Sequence, residues 1–154
     1  MSFEGLYIPQ GGGQTLDLRG TSVAFKARGQ RPGDGPTFIE FTAAPGFSTG
    51  DHVHTKIEEL FYVVQGEFQI RAGDWFGLLG PGSFVQAPPS VAHGFANPGA
   101  SPATLALIIS PSAVHEAYFE ELAEILARPG PPDAGVIADL RRRYDTVQVS
   151  PLLV

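Results

Sequence analysis

The chain has 154 residues, of which 43% are hydrophobic and 17% are charged, with a formal net charge of −6 and no cysteine. This length predicts one domain, and the apolar fraction is sufficient for a hydrophobic core, which argues against intrinsic disorder. The acidic balance disfavours nucleic-acid binding, and the lack of cysteine excludes disulfides, thiolate metal ligands and a cysteine nucleophile. Apolar runs such as residues 60–64 are far shorter than the ~20 residues that cross a bilayer. With no basic segment ahead of an apolar stretch at the N-terminus, we expect a cytoplasmic protein that binds no membrane.

Three regions follow one another along the predicted single domain, 1–154. Residues 1–36 form an N-terminal arm in which Val23, Phe25 and Ala27 alternate as one face of a half-buried strand. Residues 37–110 form the barrel core, where short apolar runs alternate with glycine and proline turns. Predicted strands there are 37–42, 59–65, 67–71, 83–87 and 104–109, and residues 65–67 read as a hairpin turn. This pattern predicts an all-β sandwich or barrel.

Residues 111–154 form a helical tail that we expect to pack against the outside of the barrel. A first helix carries apolar residues at helical spacing, namely Val114, Tyr118, Leu122, Ile125 and Leu126. Asp133 is placed to cap a second helix with Ile137, Leu140 and Tyr144 on one stripe. The basic run 141–143 reads as a solvated face of this second helix.

A His-x-His pair, His52 and His54, is the first indication of chemistry. On a strand, side chains two residues apart point to the same side about 6.6 Å apart along the backbone, so both imidazoles could reach one metal ion. Such pairs also occur on ordinary exposed strands. The pair alone therefore leaves both interpretations open.

Glu59 begins the most apolar predicted strand and shares the parity of Phe61 and Val63. An unpaired carboxylate is costly to bury, so this position favours a metal ligand, since imidazole and carboxylate together suit a divalent first-row metal. The alternative is that Glu58 and Glu59 form a solvated pair ahead of the strand. His93 follows a second turn-rich stretch, where a lone histidine is usually structural.

Two spaced motifs resemble the cupin superfamily. The first contains Gly46, His52, His54, Glu59 and Gly66, with five, one, four and six residues between them. The second contains Gly82, Pro88, Ser90, His93 and Asn97, with five, one, two and three residues between them. Ser90 stands where the family pattern has glycine, at a position that shapes a turn and binds no metal.

The resemblance implies a single cupin domain, a double-stranded β-helix or jelly-roll barrel with a short C-terminal helical extension. It makes His52, His54, Glu59 and His93 the ligands of one divalent transition metal ion, which could be Fe, Mn, Ni, Co, Cu or Zn. Asn97 matches a position that shapes the strand end, and His115 reads as an exposed or interhelical residue. More weakly, the arm and tail look like those of small quercetin 2,3-dioxygenase-like cupins.

The resemblance to this group implies a metal-dependent dioxygenase acting on a small enolic or phenolic, flavonol-like substrate with dioxygen. Among the four ligands, Glu59 is the candidate catalytic base, because a carboxylate can most readily exchange between metal binding and proton transfer. The predicted substrate pocket is apolar and suits an aromatic or polyketide-like ligand. Its candidate walls are Phe47, Phe61, Val63, Phe68, Phe84, Phe95 and Ile109.

Two alternatives remain open at this point, a metal Lewis-acid isomerase or cyclase and a non-catalytic small-molecule-binding cupin. No serine-nucleophile elbow, phosphate loop or dinucleotide fingerprint is present in the sequence. We also expect a homodimer, since two-fold dimers are the commonest oligomers, with the N-terminal arm and the tail 147–154 as candidate contacts to a neighbouring subunit. The alternative for these termini is that they fold back on their own barrel.

Overall fold

The structure is a computed structural model, and it describes residues 5–28, 35–111 and 116–154. Eleven strands are formed in this part of the chain, β1 Gln14–Leu18, β2 Thr21–Ala27, β3 Thr37–Ala43, β4 His52–Val53, β5 Glu58–Gln65, β6 Phe68–Ala72, β7 Trp75–Leu79, β8 Phe84–Ala87, β9 His93–Ala96, β10 Ala103–Ser110 and β11 Val147–Gln148. Two helices, α1 Glu116–Leu126 and α2 Ala134–Arg143, lie between β10 and β11. The predicted all-β fold with a short C-terminal helical extension is thus confirmed.

Two antiparallel sheets form the barrel. One has six strands in the order β1-β2-β3-β10-β5-β8, and the other has five in the order β11-β4-β9-β6-β7. Strand alternation decides what faces the interior, as β10 shows by burying every second residue from Ala103 to Ile109. The core between the sheets is rich in phenylalanine, and the Phe95 ring lies 5.1 Å from Phe41 and 5.6 Å from Phe61, centroid to centroid.

The predicted hairpin at residues 65–67 is wrong. β5 pairs with β8 and β10, whereas β6 pairs with β7 and β9, so Gly66 lies in a link that passes from one sheet to the other. Its φ is +75°, and a Cβ atom would lie 2.7 Å from the Cβ of Ala103. Only glycine satisfies both this backbone conformation and this close approach.

The C-terminal tail folds back on its own barrel, which was the alternative to contact with a second subunit. β11 pairs with β4, and the Leu153 amide donates to the Ser48 carbonyl at 2.9 Å. β11 thus adds a strand beside His52, the first histidine of the motif.

Helix α2 begins as predicted, because the Asp133 side chain accepts hydrogen bonds from the Gly135 and Val136 amides. Val114 and His115 lie outside the described residues.

Helix α1 packs into the barrel interior and not, as expected, only against its outside. The ring of Phe119 lies 6.1 Å from Phe25 of β2, edge to face, and Leu122 is 1% exposed. This helix thereby closes one side of the interior space. None of the helices in the described ranges is long and apolar enough to cross a membrane.

Candidate metal centre

Four titratable side chains from separate segments converge inside the barrel. His52 on β4 is the register partner of His93 on β9, while Glu59 lies on β5 and His54 directly follows β4. The ligand-type atoms of these four residues all lie within 4.8 Å of one another. The three imidazole centroids are 4.5–5.1 Å apart, and every one of the four residues is at most 5% exposed. The group therefore has the composition and spacing that could hold one metal ion.

Each imidazole is oriented by a backbone carbonyl. Nδ1 lies 3.0 Å from the Gly50 carbonyl in His52, 2.8 Å from the Asp145 carbonyl in His54, and 2.8 Å from the Val91 carbonyl in His93. A carbonyl can only accept, so each Nδ1 carries the proton, and the Nε2 lone pair of the neutral ring is left for a ligand. This arrangement is typical of metal-binding histidines.

Glu59 contacts two of these Nε2 atoms. Its Oε1 lies 3.4 Å from His54 Nε2 and its Oε2 lies 3.1 Å from His93 Nε2. With the Nδ1 protons in place, a neutral ring would turn a lone pair toward the carboxylate, which is favourable only when a cation lies between them. A proton on Nε2 or a metal ion supplies that cation. The residues present therefore fit a divalent metal.

Burial and mutual contact shift the pKa values of His52, His54 and Glu59 in opposite directions. Burial lowers the pKa of His52 to about 3, so this ring is neutral at ordinary pH. Burial also lowers the pKa of His54, but the Glu59 carboxylate outweighs it and raises the value above 6.5. Burial raises the pKa of Glu59, yet hydrogen bonds from His54 and His93 hold it well below 4.5. Glu59 is thus ionised at neutral pH.

Two residues outside the ligand group position His54. The Asp145 carboxylate accepts from the amides of Thr55 and Lys56, at 3.1 and 2.8 Å, while the Asp145 carbonyl contacts the His54 ring. Ser90 donates its amide to the His54 carbonyl at 2.6 Å and has a φ of +69°. That left-handed conformation explains why the family pattern has glycine at this position.

A cavity of about 40 Å³ adjoins His52, His54 and Glu59. At about 10–15 Å³ for each water, this volume holds about three water molecules. Apolar side chains form most of its wall, from the barrel (Leu18, Phe41, Phe47, Phe95 and Leu107), from α1 (Tyr118, Phe119 and Leu122) and from the tail (Leu152). The remaining wall residues are Thr49, Arg141 and Thr146.

The structure places the predicted pocket residues in three locations. Phe47 and Phe95 line the cavity. Four others are buried in the core beside it, namely Phe61, Val63, Phe68 and Ile109. Phe84 is 59% exposed and lies on the outside of the barrel, so it does not contribute to this wall. The reason is the alternation of β8, which buries Val85 and Ala87 and turns Phe84 and Gln86 outward.

Asn97 is a structural residue, as its motif position implied. Its Nδ2 donates to the carbonyls of Ala43 and Ser101 at 3.0 and 2.8 Å, and its Oδ1 accepts from the Gly99 amide at 2.9 Å. The side chain is 2% exposed and is not among the four converging groups. It fixes the turn after β9.

Arg141 is the charged cavity residue that sequence reasoning missed. The run 141–143 was interpreted as a solvated face, but Arg141 is 2% exposed and lines the cavity, while the other two arginine side chains are 58% or more exposed. A signal was available, because residues 137, 140, 141 and 144 share one helical stripe. The positive charge of Arg141 nevertheless favoured a surface position in the sequence-based prediction.

Comparison with known proteins agrees with this fold. Residues 39–110 match the cupin domain family, and a search of curated proteins finds no significant match. Among solved structures, the RmlC-like cupin of Shewanella frigidimarina NCIMB 400 is 20% identical, with a TM-score of 0.60 over 72% of this chain and 94% of that one. KdgF from Halomonas sp. is 20% identical, with a TM-score of 0.58 over 70% and 92%.

A third structure has higher sequence identity. The TT1209 protein of Thermus thermophilus is 29% identical, with a TM-score of 0.50 over 58% of this chain and 83% of that one. Together with the family match, these structures support the cupin superfamily, and the fold is that of a single cupin domain.

Proposed function

We propose that this chain, which has the cupin fold, is a metal-dependent dioxygenase for a small enolic or phenolic compound. The observation that carries the proposal is the group of three carbonyl-anchored imidazoles and one ionised carboxylate beside a mainly apolar cavity. In this proposal His52, His54, Glu59 and His93 hold one divalent ion. When bound, that ion would supply a Lewis-acidic centre for a substrate oxygen.

The protein's own groups would bind the substrate, exclude water and move a proton. Glu59 is ionised and buried, so either of its carboxylate oxygens can accept the proton of an enol as it enters the cavity. Phe47, Phe95 and Leu122 form walls that keep bulk water from this proton. Ser90 and Asp145 hold the backbone and ring of His54 in position.

The size of the cavity favours a substrate smaller than a flavonol. Drug-sized ligands occupy cavities of about 300–1,000 Å³, well above the 40 Å³ found here. A flavonol would need a wider cavity, and Tyr118, Phe119 and Leu122 of α1 form one part of the wall. We therefore place small enols first and flavonols second among the candidate substrates.

Oxygen uptake tests the proposal directly. The chain would be stripped with a chelator, loaded separately with Fe²⁺, Mn²⁺, Ni²⁺, Co²⁺, Cu²⁺ or Zn²⁺, and offered a panel from small enols and catechols to flavonols. We expect uptake with at least one redox-active ion, none with Zn²⁺, and none in His52→Ala. Glu58→Gln is the matched control, because Glu58 neighbours Glu59 on β5 but pairs with Gln86 at the surface.

The other two interpretations give different results in the same experiment. A Lewis-acid isomerase or cyclase would convert substrate without consuming oxygen and would remain active with Zn²⁺. A binding cupin would retain the ligand unchanged with every ion. Either result refutes the dioxygenase proposal.

A further inference from the structure

Arg141 carries a positive charge into the cavity of the candidate metal centre. The residue is 2% exposed and belongs to the same wall as His52, His54 and Glu59. A buried charge is costly unless it is paired with an opposite charge or fully hydrogen-bonded. The partners of this guanidinium therefore indicate whether its burial is fully compensated by the protein.

The partners are all neutral. Nε donates to the Tyr118 hydroxyl at 3.3 Å, one terminal nitrogen donates to Gln148 Oε1 at 3.2 Å, and the other donates to the Thr49 carbonyl. Across residues 5–28, 35–111 and 116–154, no carboxylate forms an ion pair with this side chain. A guanidinium has five N–H donors, so these three bonds leave two donors for another acceptor. Tyr118 and Thr49 line the cavity too, which places the guanidinium at its wall.

The charges of the cavity add a second argument. Glu59 is the one acid among the described residues that line it. Three neutral imidazoles and Glu59 would leave a bound divalent ion with a charge of about +1, and Arg141 adds another. A mainly apolar cavity with two unbalanced positive charges favours an anionic ligand over a neutral one of the same shape.

We propose that Arg141 is a substrate-binding residue that selects a small carboxylate whose adjacent oxo or enol oxygen faces the metal centre, as in a 2-oxo acid. The proposal rests on the proposed function for the presence of a metal, and it adds the charge class of the substrate. The guanidinium fork matches a carboxylate with two parallel N–H donors, which a lysine cannot reproduce. The cavity volume admits only a compact molecule of this class.

The experiment compares pyruvate with pyruvamide, which has the same shape and size but no charge. Isothermal titration would measure the dissociation constant of each probe for the metal-loaded wild type, Arg141→Met and Arg141→Lys. We expect the wild type to bind pyruvate at least about 30-fold more tightly than pyruvamide, as for a buried charge pair. The ratio should fall at least about tenfold in Arg141→Met, with Arg141→Lys in between. A wild-type ratio near one, or an unchanged ratio in Arg141→Met, overturns the proposal.

A purely structural role for Arg141 predicts a different result. Arg141 joins α2 to the sheet, so Arg141→Met is expected to lower stability in either case. The ratio of the two constants, however, is measured on folded protein and does not follow stability. Gln148→Met removes one structural partner of Arg141 and should leave the ratio unchanged. If Arg141→Met does not fold, the wild-type ratio and the lower ratio in Arg141→Lys still decide the question.

The two proposals fail in different ways. Strong preference for pyruvate without oxygen uptake on any substrate refutes the dioxygenase and retains the anion site. Oxygen uptake with neutral enols and no charge preference refutes the anion site alone.

Discussion

Replacing Glu59 with glutamine removes a buried charge while conserving shape, and its effect on stability can be worked from the structure. Glu59 is 4% exposed, with Oε1 3.4 Å from His54 Nε2. At an effective dielectric constant of about 20, attraction between unit charges at this distance is about 5 kcal/mol. Desolvation of both groups offsets part of it, so we expect Glu59→Gln to lower the free energy of unfolding by about 3 kcal/mol when His54 is protonated.

The loss depends on pH because Glu59 raises the pKa of His54. A basic group whose pKa is raised on folding stabilises the folded state below its unfolded value of 6.5, and this contribution is lost as the pH rises through the folded value. In metal-free protein, Glu59→Gln should therefore cost about 3 kcal/mol at pH 6 and much less at pH 9. His52 has a pKa of about 3, which loss of Glu59 would lower further, so this ring is neutral in both proteins over that range.

Urea unfolding of chelator-treated protein at the two pH values measures this difference. Glu58→Gln serves as the matched control, because its side chain contacts Gln86 at the surface and should change stability by less than about 0.5 kcal/mol at either pH. An equal cost of Glu59→Gln at pH 6 and pH 9, or no cost at pH 6, would refute the charge coupling between Glu59 and His54.

Four further predictions concern the same molecule. Metal binding at pH 6.5 should release protons, because the raised pKa of His54 leaves most of this ring protonated and the metal displaces that proton. Titration in buffers of different ionisation enthalpy would detect the release, and zero release contradicts the coupling. Leu122→Ala should lower the unfolding free energy by about 3 kcal/mol, measured by urea unfolding, and should let the cavity bind larger enols, measured by binding assays. If the largest enol that binds is the same in the variant and the wild type, α1 does not form the cavity wall. Ser90→Gly should raise the unfolding free energy by about 0.5–1 kcal/mol by relieving the φ of +69°, and an unchanged value in urea unfolding would mean that the serine conformation is unstrained. Trp75 and Phe84 are 47% and 59% exposed and line one surface groove, so we expect a second copy of the chain to cover them. Light scattering should show a wild-type dimer and a monomeric Phe84→Glu variant. A monomeric wild type would contradict this prediction.

Three of the four candidate ligands could be predicted because the information that places them is local. Side chains of His52 and His54 share a face by strand geometry, and Glu59 shares the interior parity of Phe61 and Val63, which are at most 1% exposed. The convergence of His93 on the same point followed only from the resemblance. Its register pairing with His52 joins two strands that are roughly forty residues apart in the chain.

The residues around the ligands could not be predicted with the same success, because residue type is a weak guide to whether a side chain points into the barrel or toward solvent. Phe84 is aromatic yet points outward, since β8 buries the alternate residues Val85 and Ala87. Arg141 is charged yet buried, since its stripe on α2 faces the barrel. Gly66 looked like a hairpin turn, but it links two sheets.

By itself, the sequence determined the alternation of the strands, the cap of α2 at Asp133 and the shared facing of His52, His54 and Glu59, because these depend on neighbours a few residues apart. Tertiary structure alone decided that α1 closes the cavity, that β11 lies beside β4 and that Arg141 brings a cation to the wall. Those features arise when segments distant in the chain compete to cover the same apolar surface. That competition is resolved by shape and burial across the whole fold.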